Sequence, residues 1–221
     1  MKRTLLCLLL ILSAATPALF AQEPAQNIPA DVFYLMPQMG PGVLLYRDKS
    51  PVRGTFNICA VDNTVRFLDI SGQELALEED PSLASVVIED VPFLLRDKQF
   101  YRLEKVSDDV FVAVNRHVTL IGDSIMSSYG MESQTTAVQM VSAVESNGRI
   151  FTFNEAKGQP YLLDESAYLY FKGRLLNPNK NNCIKCFPEK KADIEAWFKE
   201  HKKMDSSNIE SVLSIVKQWA Q

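Results

Sequence analysis

The spacing of the β-prone runs is the feature that most limits how this chain can fold. From Val32 to Leu120, runs rich in branched and aromatic residues follow one another with only short polar breaks. They occupy 32–36, 43–46, 55–60, 64–69, 74–78, 85–89, 93–95, 100–106 and 110–121. The breaks carry turn residues, as in Gly40-Pro41-Gly42, Arg47-Asp48-Lys49-Ser50, Val61-Asp62-Asn63, Asp90-Val91-Pro92, Arg96-Asp97-Lys98 and Ser107-Asp108-Asp109. A parallel crossover needs about a dozen or more residues between strands. These gaps are too short for that, so the strands are expected to pair antiparallel, as hairpins in a meander. Period-two alternation is clearest where Val65 and Phe67 share one face and Arg66 the other.

Residues 122–135 are polar and read as a loop, after which 136–144, 149–153, 161–164 and 167–171 resume the strand pattern. Composition changes after Gly173. An amphipathic helix is expected from Pro188, because proline in a first helical turn lacks only an N–H that would have no partner there. Ile194, Trp197 and Phe198 fall on its apolar face. A second helix starts at the capping-box pattern Ser207-Asn208-Ile209-Glu210, and Ile209, Val212, Leu213 and Val216 repeat at helical spacing. The expected fold is mainly β, α+β by content. It is an antiparallel meander forming a partly open barrel or sandwich, with two to three short C-terminal helices.

The N-terminus sets an expectation about location. Lys2 and Arg3 precede the apolar run 5–12, and Ala18-Leu19-Phe20-Ala21 precedes Gln22. This is the charged, apolar and small-residue order of a cleavable secretory signal, and its apolar core is short for a bilayer span. Residues 1–21 are therefore expected to be a signal peptide and 22–31 a flexible leader. An antiparallel β domain over 32–173 and a helical tail over 174–221, packed on it, are expected to follow. The mature chain is placed in the periplasm or outside the cell, with no integral membrane segment. Cleavage takes the formal charge from −4 to −6. A mildly acidic chain without clustered Lys and Arg is a poor match for nucleic acid. The partner is unknown at this level; another envelope protein or a glycan are the candidates.

Few residues suggest chemistry. Cys183 and Cys186, spaced as Cys-x-x-Cys, are a candidate disulfide or thiol pair, and redox or metal chemistry is the functional reading. Alternatively they fill an apolar slot with Ile184 and Phe187, since free cysteine packs as a small hydrophobe. Haem attachment is excluded because Phe187, not histidine, follows the second cysteine. Gly122-Asp123-Ser124-Ile125 resembles the nucleophile motif of GDSL-type hydrolases, yet the late Asp-x-x-His partner is missing, and a serine without a base is not activated. His117 and His201 lie far apart, on an expected strand and helix. Glu78-Glu79-Asp80 and Glu89-Asp90 read as solvated loop acids. Tyr168 and Tyr170 share a strand face and are a candidate aromatic binding surface, with Tyr161 nearby in sequence; core packing is the alternative. No catalytic residue, metal site or cofactor is assigned.

Several segments together give a resemblance. They are Phe20-Ala21-Gln22, Phe33-Tyr34-Leu35-Met36-Pro37, Arg66-Phe67-Leu68-Asp69 with Gly72 and Leu75-Ala76-Leu77, Tyr129-Gly130, and the tail from Cys186-Phe187-Pro188 to Ile194. Across nearly the whole mature chain they resemble a group of uncharacterised secreted proteins of Bacteroidota. The resemblance implies export and a β-rich fold, and no catalytic residue. The functional expectation is a non-enzymatic envelope protein acting as a binding or interaction module. The alternatives are a thiol-redox or metal-binding protein using Cys183 and Cys186, and a carrier of a small apolar ligand in a curved sheet.

Overall fold

The computed structural model describes residues 28–121 and 152–221. After a one-turn helix α1 (Ala30–Phe33) come β1 (Gly40–Tyr46), β2 (Val52–Ile58), β3 (Val65–Leu68), β4 (Glu74–Ala76), β5 (Leu83–Ile88), β6 (Val91–Arg96), β7 (Gln99–Lys105) and β8 (Val110–Leu120). A second short helix, α2 (Phe153–Ala156), precedes β9 (Tyr161–Phe171) and β10 (Arg174–Leu176). The tail holds α3 (Lys180–Cys186), a 3-10 turn (Pro188–Lys190), α4 (Lys191–His201) and α5 (Ile209–Trp219). The antiparallel reading holds throughout: all ten strands form one open sheet, in the order β10-β9-β8-β7-β6-β5-β1-β2-β3-β4.

That order departs from a simple meander at one point. β5 pairs with β1 rather than with β4. The link from β4 must therefore return past three strands within residues 77–82. Four strand spacings measure roughly 19 Å along a flat sheet, close to the full reach of so short a link. Curling the sheet shortens the path, and the link then runs as a chord across one end of the curl. Gly42 lets β1 and β5 approach at this turn of the sheet: a Cβ there would lie 2.5 Å from the Val87 carbonyl and 3.2 Å from the Phe56 ring.

Three hairpins from β5 onward are two-residue turns with both residues at positive φ: Glu89-Asp90, Asp97-Lys98 and Lys172-Gly173. Their backbone twist matches that of the flanking strands. The turn at Glu89-Asp90 corrects the expectation that Val91 and Pro92 are a break. They open β6, with Pro92 opposite Val87. The third turn leads into β10, so the sheet extends beyond the expected boundary at Gly173.

One face of the sheet carries the core. A row of paired positions runs Leu44, Val86, Phe93, Arg102, Val114 and Ala167 across six strands. On the β1–β6 side the curl buries this face against itself, collecting Phe56, Ile58, Val65, Leu83, Ile88 and Phe100. On the β8–β9 side the same face is covered by the tail, through Ile194, Phe198, Val212, Val216 and Trp219. Arg102, paired with Glu104, sits in the row where the two cores meet. The capping at α5 differs from expectation. Asn208 is the N-cap, its side chain accepting from Ser211 N–H at 3.0 Å, while Ser207 donates to Asp205 at 2.7 Å.

Two expected strands overlap helical turns. The run 32–36 is interrupted by α1, and within it only Tyr34 forms a β-bridge, to Cys59 just beyond the end of β2. At 152–153 the chain enters α2; the rest of the 149–153 reading, and the 136–144 reading, lie outside the described residues. The leader also ends earlier than expected, because Ile28 is buried and donates its N–H to Gln159 at 3.1 Å.

The segment from Ile28 to Met36 is held by a side chain that imitates a strand. Asn57 on β2 is fully buried. Its Oδ1 accepts from Met36 N–H at 3.1 Å and Ile58 N–H at 2.8 Å, and its Nδ2 donates to the Met36 carbonyl at 2.9 Å. Leaving a buried amide or carbonyl without its partner costs about 1–3 kcal/mol each. Asn57→Ala is therefore expected to destabilise the fold by at least about 2 kcal/mol in urea unfolding, whereas the exposed Val52→Ala leaves the midpoint nearly unchanged.

Candidate functional site

The site forms where β8 outruns its neighbour. β7 pairs with β8 only from Phe111 to Asn115, so residues 116–120 project past it. The β2–β3 hairpin docks on this overhang. Val118 donates its N–H to the Ala60 carbonyl at 3.0 Å, and Ala60 donates its own N–H to the Phe33 carbonyl at 2.8 Å. Ile28, Phe33, Ala60, Val61, Val118, Leu120 and Ala156 pack around the contact. The sheet is thereby tied to itself across the curl, and a gap remains between the overhang and the β6–β7 turn.

That gap is a recess of about 700 Å³. Its walls come from five separate segments: Arg47 after β1, the β2–β3 hairpin, the chord 77–82 with Leu83, the β6–β7 turn with Leu95 and Phe100, and β8 from His117 to Leu120. Val65, Leu77, Leu83, Leu95, Phe100 and Leu120 give it an apolar lining, while Arg47, Glu78, Glu79, Asp80, Arg96, Asp97 and Lys98 stand around it.

Most of the surrounding charge is committed to holding the walls. Asp80 anchors the chord: its Oδ1 accepts from Ser82 N–H at 2.9 Å and Ser82 Oγ at 2.8 Å, and its Oδ2 pairs with Lys49. The Lys49 ammonium, with the Ser82 donors, holds the Asp80 carboxyl down to about 2, so the anchor stays ionised down to about that pH. Arg47 reaches the Pro81 carbonyl at 2.9 Å. Lys98 pairs with Glu79 at 2.8 Å, tying the β6–β7 turn to the chord.

The hairpin wall has a buried ionic centre. Asp62 accepts from Thr64 N–H at 3.0 Å and Thr64 Oγ1 at 2.6 Å, and pairs with Arg66. The side chains of this pair are 1% and 0% exposed. Removing one member of such a pair strands a charge in a medium that solvates it poorly. Beside it, Asn63 Nδ2 lies 3.5 Å from His117 Nδ1, placing a polar pair at the edge of the apolar lining. Tyr34, on the covering segment, donates to both carboxylate oxygens of Glu74, at 2.9 and 2.8 Å; burial and this carboxylate push the phenol well above its ordinary range.

The cysteine pair is elsewhere. Cys183 and Cys186 lie on α3, both buried and both free, within the core between the tail and β8–β9. Asn179 caps α3, accepting from Asn182 N–H at 3.0 Å. Desolvation pushes the Cys183 thiol up to about 12 and the Cys186 thiol up to about 11. The third buried thiol, Cys59, is pushed up to about 12 by the same cause. A reactive thiol requires the opposite: exposure and a lowered pKa. Among the described residues, no group of three or more His, Cys, Asp or Glu is placed to hold a metal ion.

Tyr168 and Tyr170 lie on the sheet face opposite the tail helices, half-buried among other rings. Tyr168 meets Tyr101 edge-on at 5.7 Å and Tyr170 meets Phe111 at 6.2 Å. Tyr161 has the opposite parity and does not join them. His201 stacks on Trp197 at 4.4 Å and bonds its carbonyl through Nδ1 at 3.0 Å, far in sequence from the recess. Glu89 and Asp90 form a turn. Gly122-Asp123-Ser124 lies outside the described residues. Of the described residues singled out by sequence as candidates for chemistry, only His117 and the acids Glu78, Glu79 and Asp80 reach the recess. Its apolar lining was invisible because no two of its walls are local to one another.

Thiol chemistry gives a direct check. At pH 8 an aromatic disulfide reagent is expected to react with none of Cys59, Cys183 and Cys186 until the protein is unfolded. Because these thiols ionise near 9 when unfolded and at about 11–12 when folded, the unfolded state loses protons first. Stability is then expected to fall as pH rises above about 9, and replacing both Cys183 and Cys186 by alanine is expected to flatten that alkaline slope.

No protein-family model, curated protein or solved structure matches the chain.

Proposed function

We propose that this chain is an exported, non-enzymatic binding protein that takes a small, largely apolar ligand into the recess at the open end of the curled sheet. The carrying observation is the recess itself. Its volume of about 700 Å³ falls within the range of sites that enclose small molecules, roughly 300–1,000 Å³. An apolar lining with a few convergent polar groups, here Asn63, Thr64, His117 and Thr119, is the usual composition of such a site. Burying apolar surface contributes about 25 cal/mol per Å², which suffices for binding without strong polar recognition. The charged residues around the opening are mixed in sign, with Glu79 paired to Lys98 and Asp80 to Lys49, so a ligand with little net charge fits best.

Export rests on the Lys2-Arg3 start, the apolar run and the small residues before Gln22. The resemblance to secreted proteins of Bacteroidota supports the same placement in the periplasm or at the cell surface. Among the described residues, no helix is long and apolar enough to cross a membrane.

A second reading has its own observation. The ring pairs Tyr101–Tyr168 and Phe111–Tyr170 make an aromatic strip on the other sheet face that would suit a glycan. One set of variants separates the two. The uncharged fluorophore N-phenyl-1-naphthylamine is expected to bind the mature chain with a rise in emission. Leu95→Trp, which fills the recess from its wall, is expected to weaken that binding at least about tenfold, or 1.4 kcal/mol, with little change in unfolding temperature. Tyr168→Ala combined with Tyr170→Ala is expected to leave it unchanged. Loss of binding in the tyrosine variant, with retention in Leu95→Trp, moves the site to the aromatic strip.

A further inference from the structure

We infer that the outer edge of β9 between Tyr161 and Glu165 is a docking site for a short extended peptide segment of another protein, paired through its backbone. β10 pairs with β9 only at Leu169, Tyr170 and Phe171. Next along the edge, Ala167 gives its N–H to the Ser206 carbonyl at 2.8 Å. At the other end, the Gln159 carbonyl accepts from Ile28 N–H at 3.1 Å. These bonds fix the parity of the strand: residues 163 and 165 turn their N–H and C=O groups away from β8, because direction alternates along a strand. Among the described residues, no hydrogen bond reaches the outer side of Leu163 or Glu165.

Between Tyr161 and Glu165 the edge carries neither lysine, proline nor a bulge. Exposed edges are normally protected by charged side chains, especially lysine, by proline or by a bulge; β10 opens on Arg174 with Lys172 in the turn before it. Here the sequence is Tyr161-Leu162-Leu163-Asp164-Glu165, with Leu162 48% and Leu163 43% exposed. Both leucines are large apolar residues left in water beside open backbone groups.

The occupant follows from the ends and the charge. Ile28 and Ser206 fill the outer side at both ends, leaving a window about 17 Å long. A long strand, such as the 11-residue β9 of a second copy, cannot run through it; a five-residue segment can. Asp164 is exposed on the same face as Leu162, while Glu165 is already paired with Arg116 at 2.7 Å. The partner therefore alternates apolar residues beside Leu163 with basic residues beside Asp164, as apolar pairs and opposite-charge pairs across strands both stabilise the pairing.

The test uses the mature chain and the peptide acetyl-Val-Lys-Val-Lys-Val-amide, read by amide exchange in NMR spectra. At about ten times the dissociation constant, exchange of the Leu163 and Glu165 amides is expected to slow about tenfold. Leu163→Pro removes the outward N–H and leaves the β8 ladder intact, since proline is tolerated on an edge. In this variant the peptide is expected to leave Glu165 exchange unchanged, while naphthylamine binding in the recess persists and shows the fold is retained. Unchanged exchange at Leu163 and Glu165 in the parent protein overturns the inference. Equal protection by acetyl-Val-Glu-Val-Glu-Val-amide overturns it as well. So does protection of these amides by raising protein concentration alone, which assigns the edge to a second copy.

Discussion

The architecture depends on the two backbone hydrogen bonds of Ala60. Its N–H is given to Phe33 and its carbonyl takes the N–H of Val118, so one residue joins the N-terminal segment, the β2–β3 hairpin and the overhang of β8. An open ten-stranded sheet would otherwise leave its strand ends facing water. Right-handed twist bends the sheet, and these two bonds hold the bend. The recess is a consequence: β8 is long enough to be tied to the hairpin, and β7 is too short to fill the space beneath.

Burying polar groups at this tie has a structural logic. Asn57, Asp62 and Arg66 sit within one stretch of the β2–β3 hairpin and are all withdrawn from water. Each needs specific partners, so each penalises a shifted register. A one-residue slip of β3 would move Arg66 to the face occupied by Phe56 and Ile58, where no acid waits. The apolar residues set how much the sheet gains by curling, and the polar ones set where the curl stops. The tail helices perform the complementary task on the same sheet face, covering the part the curl does not reach.

Much of this was legible in the sequence because it is local. Short breaks forced antiparallel pairing, and helical spacing at Ile209, Val212 and Val216 marked α5. Cys183 and Cys186 showed their apolar company in Ile184 and Phe187. What escaped was non-local. The β1–β5 pairing depends on the chord 77–82 spanning a curl that no window of sequence displays. The strand-like pattern at 32–36 is interrupted by α1, because its partners are the Asn57 side chain, the Ile58 carbonyl and the Cys59 bridge at the end of β2 rather than a full-length neighbouring strand. Asn57 itself carried a signal, a polar residue within the run 55–60, and so did Arg66 between Val65 and Phe67. Alternation put Arg66 on a second face without showing what covers that face. The recess combines five segments and has no motif at all.

The central claim is that the recess beneath the β8 overhang is where an apolar ligand binds. Methyl-labelled protein titrated with N-phenyl-1-naphthylamine tests it most directly. The account predicts shifts at the methyl groups of Val65, Leu77, Leu83, Leu95 and Leu120, with Leu103, Leu163 and Leu175 unmoved. Shifts confined to Leu103 and Leu175, or none at any lining residue, would contradict it.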